Sequence, residues 1–196
     1  MAPLTAIDVA IIPPPDVSDA AKALSAGLPA HESQGLRLDA RHLPHITLTQ
    51  QFIPAGDVAA VARAIAPLLR RRPPLPLAIT GPGRGSSSVW MEIGRTPILL
   101  DLHEALMEVL QPFERAGGTA DAFAGGDARA GDITFVSGFR WSSSFTRFTP
   151  HITLGHASTL PPVRPLAFRA TTIALCHLGR FCSCRGVLES WSLPVR

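Results

Sequence analysis

Long apolar runs are missing from this 196-residue chain. No stretch approaches the roughly 18–20 apolar residues that cross a bilayer, so a helical membrane span is excluded. Charged residues are sparse, 17% against 46% apolar; a disordered chain would show the opposite balance, and a globular fold is expected. Cysteine is scarce as well. Cys176, Cys182 and Cys184 make an odd count that suggests no disulfide framework, and a reducing, cytoplasmic setting is the expectation. Lys22 is the one lysine among 18 basic residues. Arginine suits bidentate phosphate recognition, but at a net charge of +3 in an Ala/Pro/Arg-rich chain this permits a nucleic-acid partner without demanding one. The opening segment lacks a basic n-region and Asp8 interrupts its apolar stretch, so it is expected to be a first strand, not a leader. The length suits one fair-sized domain or two small lobes sharing a core.

Periodicity predicts a strand over 5–12, stopped by three prolines, and a helix from Asp16 or Ser18 to about Leu28. Residues 36–39 and 46–53 read as strands, the second with Ile46, Leu48 and Gln50 on one face and His45, Thr47 and Thr49 on the other. Asp57 opens a second helix with the stripe Val58, Val61, Ala62, Ile65, Leu68 and Leu69, and arginines 70–72 sit in its last turn. Strands over 75–80 and 89–94 are joined by a Gly/Ser hairpin, and Thr96-Pro97 starts a third helix with His103 on its outer face. Residues 117–131 read as a surface loop, and 133–139, 152–156, 166–176 and 187–193 as strands. Three helices and eight or nine strands with few helical crossovers point to an α+β fold with mainly antiparallel sheets.

One internal match stands out. Pro44-His45-Ile46-Thr47-Leu48 recurs as Pro150-His151-Ile152-Thr153-Leu154, about half the chain away. A repeated pentamer arises by chance in such a chain with a probability on the order of 1%. In a strand, residues two apart share a face, so each copy presents one imidazole and one hydroxyl while Ile and Leu pack beneath. The prolines fix an extended entry. Two opposed imidazoles near neutral pKa suit phosphodiester chemistry: one deprotonates the nucleophile and the other protonates the leaving alkoxide. The hydroxyls of Thr47 and Thr153 would donate to non-bridging phosphoryl oxygens.

The two His-x-Thr motifs, each set among apolar strand residues, resemble those of the 2H phosphoesterase superfamily, and within it the 2'-5' RNA ligase/cyclic nucleotide phosphodiesterase branch. Length, the early strand before a Pro-rich turn and Phe52 after the first motif agree with that branch. The resemblance implies a single two-lobed domain over 1–196, pseudo-symmetric, with antiparallel sheets lining a central cleft and helices outside. It implies hydrolysis of 2',3'-cyclic phosphates of RNA ends or nucleotides, or the related making and breaking of 2'-5' links, without metal or other cofactor. Position by position, His45, Thr47, His151 and Thr153 match the catalytic residues. A cytoplasmic monomer with no membrane partner is expected.

Arg147, four residues before His151, is a candidate for phosphate at the cleft mouth, and Phe148 or Trp141 for stacking on a base. His31, His103 and His177 carry no motif and are expected to be structural or superficial. His151 and His156 would lie on opposite faces of a regular strand. Two rival readings remain: a non-catalytic RNA- or nucleotide-binding module using the same cleft, and a metal-dependent hydrolase built on His42 and His45, for which no Cys, Asp or Glu cluster completes a ligand set.

Overall fold

The computed structural model of the protein describes residues 2–194. Eight strands and four helices follow one another as β1 (Leu4–Ile12), α1 (Pro15–Ala26), β2 (Ile46–Pro54), α2 (Val58–Leu69), β3 (Leu75–Arg84), β4 (Ser88–Ile93), α3 (Pro97–Leu110), α4 (Ala130–Ser142), β5 (His151–His156), β6 (Leu166–Ala170), β7 (Thr172–Gly179) and β8 (Ser183–Ser192). The strands form two antiparallel four-stranded sheets, ordered β2-β1-β7-β8 and β5-β4-β3-β6. This is the expected α+β class. Each histidine motif sits on or beside the edge strand of its own sheet, β2 in one and β5 in the other. Both sheets and the first three helices contribute to one continuous apolar cluster, which includes Ile7, Ile46, Ile65, Leu102, Ile152 and Ile173. None of the described helices is long and apolar enough to cross a membrane.

The helices expected from apolar spacing form with small changes at their ends. Val61, Ile65 and Leu69 bury one face of α2, and arginines 70–72 follow that helix instead of closing it. In α3, Thr96 caps the first turn by accepting the Leu99 amide, and Pro97 fills a position where no amide is needed.

Four expectations are corrected. Residues 36–39 form no strand: the Leu38 amide donates to Ser25 Oγ at 3.0 Å, and Leu36 and Leu38 are buried without a ladder. Residues 133–139 lie inside helix α4. Their β-branched and aromatic content favours a strand locally, but Asp132, Val136, Phe139 and Arg140 are buried at helical spacing, and the Asp132 carboxylate accepts from both the amide and the guanidinium of Arg129 at the helix start. Tertiary burial overrides the local preference. The 117–131 stretch is not a loose loop either, since Ala122 and Phe123 pack with Ala6, Phe52, Val136 and Leu178 in a second cluster. Finally, the segment 166–176 is two strands. The chain leaves one sheet at Ala170 and enters the other at Thr172, with only Thr171 between them.

Candidate active site

The same local device delivers both motif histidines. His45 Nδ1 lies 2.7 Å from the Leu43 carbonyl, and His151 Nδ1 lies 2.7 Å from the Thr149 carbonyl, each two residues upstream. A carbonyl oxygen can only accept, so Nδ1 carries the proton and Nε2 is the basic atom of each neutral ring. Both imidazoles, with Thr47 and Thr153, line one cleft of about 580 Å³.

A second symmetry lies in the strand pairing. Val9 pairs with Thr49 and Ala10 with Thr47, which skips Leu48. Val89 pairs with Gly155 and Trp90 with Thr153, which skips Leu154. Each strand therefore carries one extra residue directly after its motif threonine, and the alternation of faces slips by one. As a result Gln50 and His156, each five residues after a motif histidine, line the cleft. This corrects the placing of Gln50 with Ile46 and Leu48, and of His156 on the face away from His151.

The carbonyls of the extra residues are met by buried helix side chains. Ser25 Oγ on α1 donates to the Leu154 carbonyl at 2.6 Å, and His103 Nδ1 on α3 donates to the Leu48 carbonyl at 2.7 Å. His103 also accepts the Phe145 amide at Nε2 (2.8 Å) and stacks on Phe148 at 3.9 Å between centroids. It is fully buried, contrary to the expected outer face. It completes the stripe of Leu99, Leu106 and Leu110, to which it stands at i+4, i−3 and i−7.

Beneath the first motif sits Asp8 of β1, wholly buried. Its Oδ2 lies 2.7 Å from Thr47 Oγ1, accepts from Gln50 Nε2 at 2.9 Å and lies 3.7 Å from His45 Nε2. Burial pushes the Asp8 carboxyl up to about 7, against the bonds from Gln50 and Thr47. Burial also pushes His45 down to about 4, with His151 nearby acting in the same direction. His151 is lowered by burial and lies 4.7 Å, centroid to centroid, from the Trp90 indole. Burial and the Arg129 charge lower His156, whose Nδ1 is 3.0 Å from Ser87 Oγ. On the far wall Arg129 pairs with Asp132 and covers the Phe181 ring at 4.0 Å. Against burial, the Arg129 guanidinium and the Arg129 and Phe181 amides hold Asp132 below the usual carboxylate range. Phe181 and Cys182 have φ of 66° and 52°, left-handed conformations that non-glycine residues seldom adopt and that collect at functional sites.

The family model of the 2'-5' RNA ligase superfamily matches residues 13–175. The chain belongs to this superfamily. Among solved structures it is similar to LigT of E. coli in apo form (18% identity, TM-score 0.61, all of both chains covered) and to TT0787 of Thermus thermophilus (16% identity, TM-score 0.60, 98% of this chain and 100% of that one). A further similar structure is E. coli LigT complexed with 3'-AMP (18% identity, TM-score 0.59, 97% of this chain and 98% of that one). No curated protein sequence matches the chain. The resemblance to 2H phosphoesterases drawn from the two motifs agrees with the family and with the fold of these structures.

In this superfamily member the cleft gathers His45, Thr47, His151, Thr153, Arg147 and Phe148, while Trp141 stands outside its lining and 73% exposed. Phe148 is almost wholly buried under the stack with His103, and Arg147 Nη1 donates to the Trp141 carbonyl at 2.5 Å. His42 bridges Asp39 and Arg185 away from the cleft, which leaves it poorly placed to share a metal with His45. Among the described residues Asp8, His45 and Cys184 bring donor atoms within 4.8 Å of one another. Their chemistry suits packing better than metal ligation. Burial and a bond to Cys176 drive the Cys184 thiol away from thiolate, and Asp8 Oδ2 is already engaged by Thr47 and Gln50.

Sequence reasoning missed Asp8, Gln50, Trp90, Arg129, Asp132, His156 and Phe181. Gln50 and His156 left a trace, because the matched strings PHITLTQ and PHITLGH end on them. Asp8 left one too, as the single charge in the apolar run of the first strand; the others come from distant segments and left none.

Proposed function

We propose that the chain hydrolyses 2',3'-cyclic phosphates of RNA ends or nucleotides by general acid–base catalysis between His45 and His151. The observation that carries this reading is the paired anchoring of the two rings, each held through Nδ1 by a carbonyl two residues upstream, with both lining one cleft. One Nε2 takes a proton from water as the water oxygen bonds to phosphorus. The other ring, as imidazolium, gives a proton to the ribose oxygen as its bond to phosphorus breaks. The product is a ribose monophosphate with one free neighbouring hydroxyl, and the two rings exchange protonation states over the cycle.

Charge rises on the non-bridging oxygens in the transition state, and Thr47 and Thr153, one beside each imidazole, offer hydroxyl donors there. Phe135, exposed in the cleft wall, supplies an aromatic face suited to a base, while Trp90 and Phe181 are already packed against His151 and Arg129. That E. coli LigT has been solved with 3'-AMP supports a nucleotide-sized occupant here.

The test is incubation with a 2',3'-cyclic mononucleotide in excess chelator, followed by separation of the products. A nucleoside monophosphate should appear with the wild type, and His45→Ala or His151→Ala should each lower turnover by about 10²–10⁴. Full activity in either variant refutes the assignment. Loss of wild-type activity in chelator would point instead to a metal-dependent reaction, and binding without turnover to a nucleotide-holding module.

A further inference from the structure

Asp8 presents a hydrogen-bond conflict that the paired motifs alone do not reveal. Thr47 has a single hydroxyl proton, and Asp8 Oδ2 at 2.7 Å takes it if Asp8 is a carboxylate. The remaining neighbour of that hydroxyl, Gln50 Nε2 at 3.3 Å, is itself a donor. Thr47 would then have nothing to give a phosphoryl oxygen, and a buried negative charge would stand behind a phosphate whose own charge rises during reaction.

We propose that Asp8 works as a neutral carboxylic acid whose proton is donated to Thr47 Oγ1, which turns the Thr47 hydroxyl toward the substrate phosphate. Asp8 is thereby a positioning residue acting through Thr47. This deepens the proposed phosphoesterase reading and rests on it.

Gln50 and the Leu48 amide pull the carboxyl toward its charged form, burial outweighs them, and the remaining bonds can be drawn for the neutral acid. Oδ2–H donates to Thr47 Oγ1, and Gln50 Nε2 donates to Oδ2 (2.9 Å) and more distantly to Thr47 Oγ1. Asp8 Oδ1 is buried with no partner. An orphaned oxygen is far costlier on a carboxylate than on the carbonyl of a neutral acid. The titratable groups facing Asp8 are His45 beside β2, Cys176 opposite it on β7, Cys184 on β8 and Cys182 in the turn before β8. Three of these are thiols. Among the described residues the one basic group within 4.0 Å is His45, which burial itself keeps neutral. A carboxyl kept protonated by an apolar site so that it can donate a hydrogen bond is established enzyme chemistry.

The second motif has no carboxyl at the matching position. Asp8 lies two residues before Ala10, the partner of Thr47, and pairs with Gln50, whereas Ser88 lies two residues before Trp90, the partner of Thr153, and pairs with His156. The two threonines are therefore not equivalent, and the pH response should belong to the first.

The test compares wild type, Asp8→Asn and Asp8→Ala, with Thr47→Ala as reference, on a 2',3'-cyclic mononucleotide from pH 5 to 9. The Asn amide donates to Thr47 as the neutral acid does once the Gln50 amide turns its unpartnered Oε1 toward it, so Asp8→Asn should recover most of a loss of about 10²-fold seen in Asp8→Ala. Above pH 7 the fall of kcat/KM should be shallower by one proton in Asp8→Asn than in the wild type. A carboxyl carbon resonance assigned to Asp8 should titrate near 7 instead of 3.8. Asp8→Asn as inactive as Asp8→Ala, or a resonance titrating below 5, overturns the proposal. If the wild type turns over no cyclic nucleotide, the proposed reaction falls by itself. The resonance then decides this one together with inorganic phosphate binding, which should weaken in Asp8→Ala and Thr47→Ala and recover in Asp8→Asn.

Discussion

Replacing His103 with alanine tests how the two motifs are held from behind. The ring bridges the Leu48 carbonyl, next to Thr47, and the Phe145 amide, in the turn leading to His151, and it stacks on Phe148. Its removal orphans two buried backbone groups, at about 1–3 kcal/mol each, and opens a cavity the size of the ring, at about 2–3 kcal/mol more. A loss of about 4–9 kcal/mol is expected at pH 7.5, a large share of the roughly 5–15 kcal/mol that holds a typical domain together. Urea unfolding followed by tryptophan fluorescence measures it.

Acid conditions sharpen the test. Burial first, and then the Arg95 charge, lower the pKa of His103 in the folded chain. Below the unfolded value of about 6.5 the unfolded chain binds the proton more readily, so this part of the wild-type stability is present above pH 6.5 and drains as the pH falls. The gap between wild type and His103→Ala should therefore narrow from pH 7.5 to pH 5. A gap below about 1 kcal/mol at pH 7.5, or one unaffected by pH, refutes the bridging role.

Two further outcomes can be measured on the same instrument. Ser25→Ala leaves the Leu154 carbonyl and the Leu38 amide without their partner and should cost about 2–4 kcal/mol; a cost under 0.5 kcal/mol would show that the Leu154 carbonyl needs no cap. Asp8 keeps its proton up to about 7 when folded, against 3.8 when unfolded, so its contribution to stability is whole below 3.8, declines through that window and is flat above it. The stability of Asp8→Asn relative to wild type should then rise by about 4 kcal/mol between pH 4 and pH 8, and a difference that does not change with pH counts against the raised carboxyl.

The α+β class, helices α2 and α3 and the superfamily itself were legible in the amino-acid order. Apolar stripes repeat at helical spacing in Val61, Ile65 and Leu69, and PHITL occurs twice; both signals are local and survive in any environment. Helix α4 was not legible, because Ile133, Phe135 and Val136 prefer a strand until burial of Val136, Phe139 and Arg140 decides otherwise. The change of sheet at Thr171 left a trace that was not used: the large apolar residues shift from even positions (Leu166, Phe168) to odd ones (Ile173, Leu175) across Thr171-Thr172.

The composition of the cleft beyond its four motif residues was settled by tertiary structure. An extra residue after each threonine reveals itself only in the pairing with the neighbouring strand, and it is this that turns Gln50 and His156 inward. Asp8 meets Thr47 because β1 lies beside β2, a contact between residues 39 positions apart. Local order can specify which side chains a strand carries. Which partner it meets, in which register, and with how much water left around a carboxyl depends on distant segments packing together.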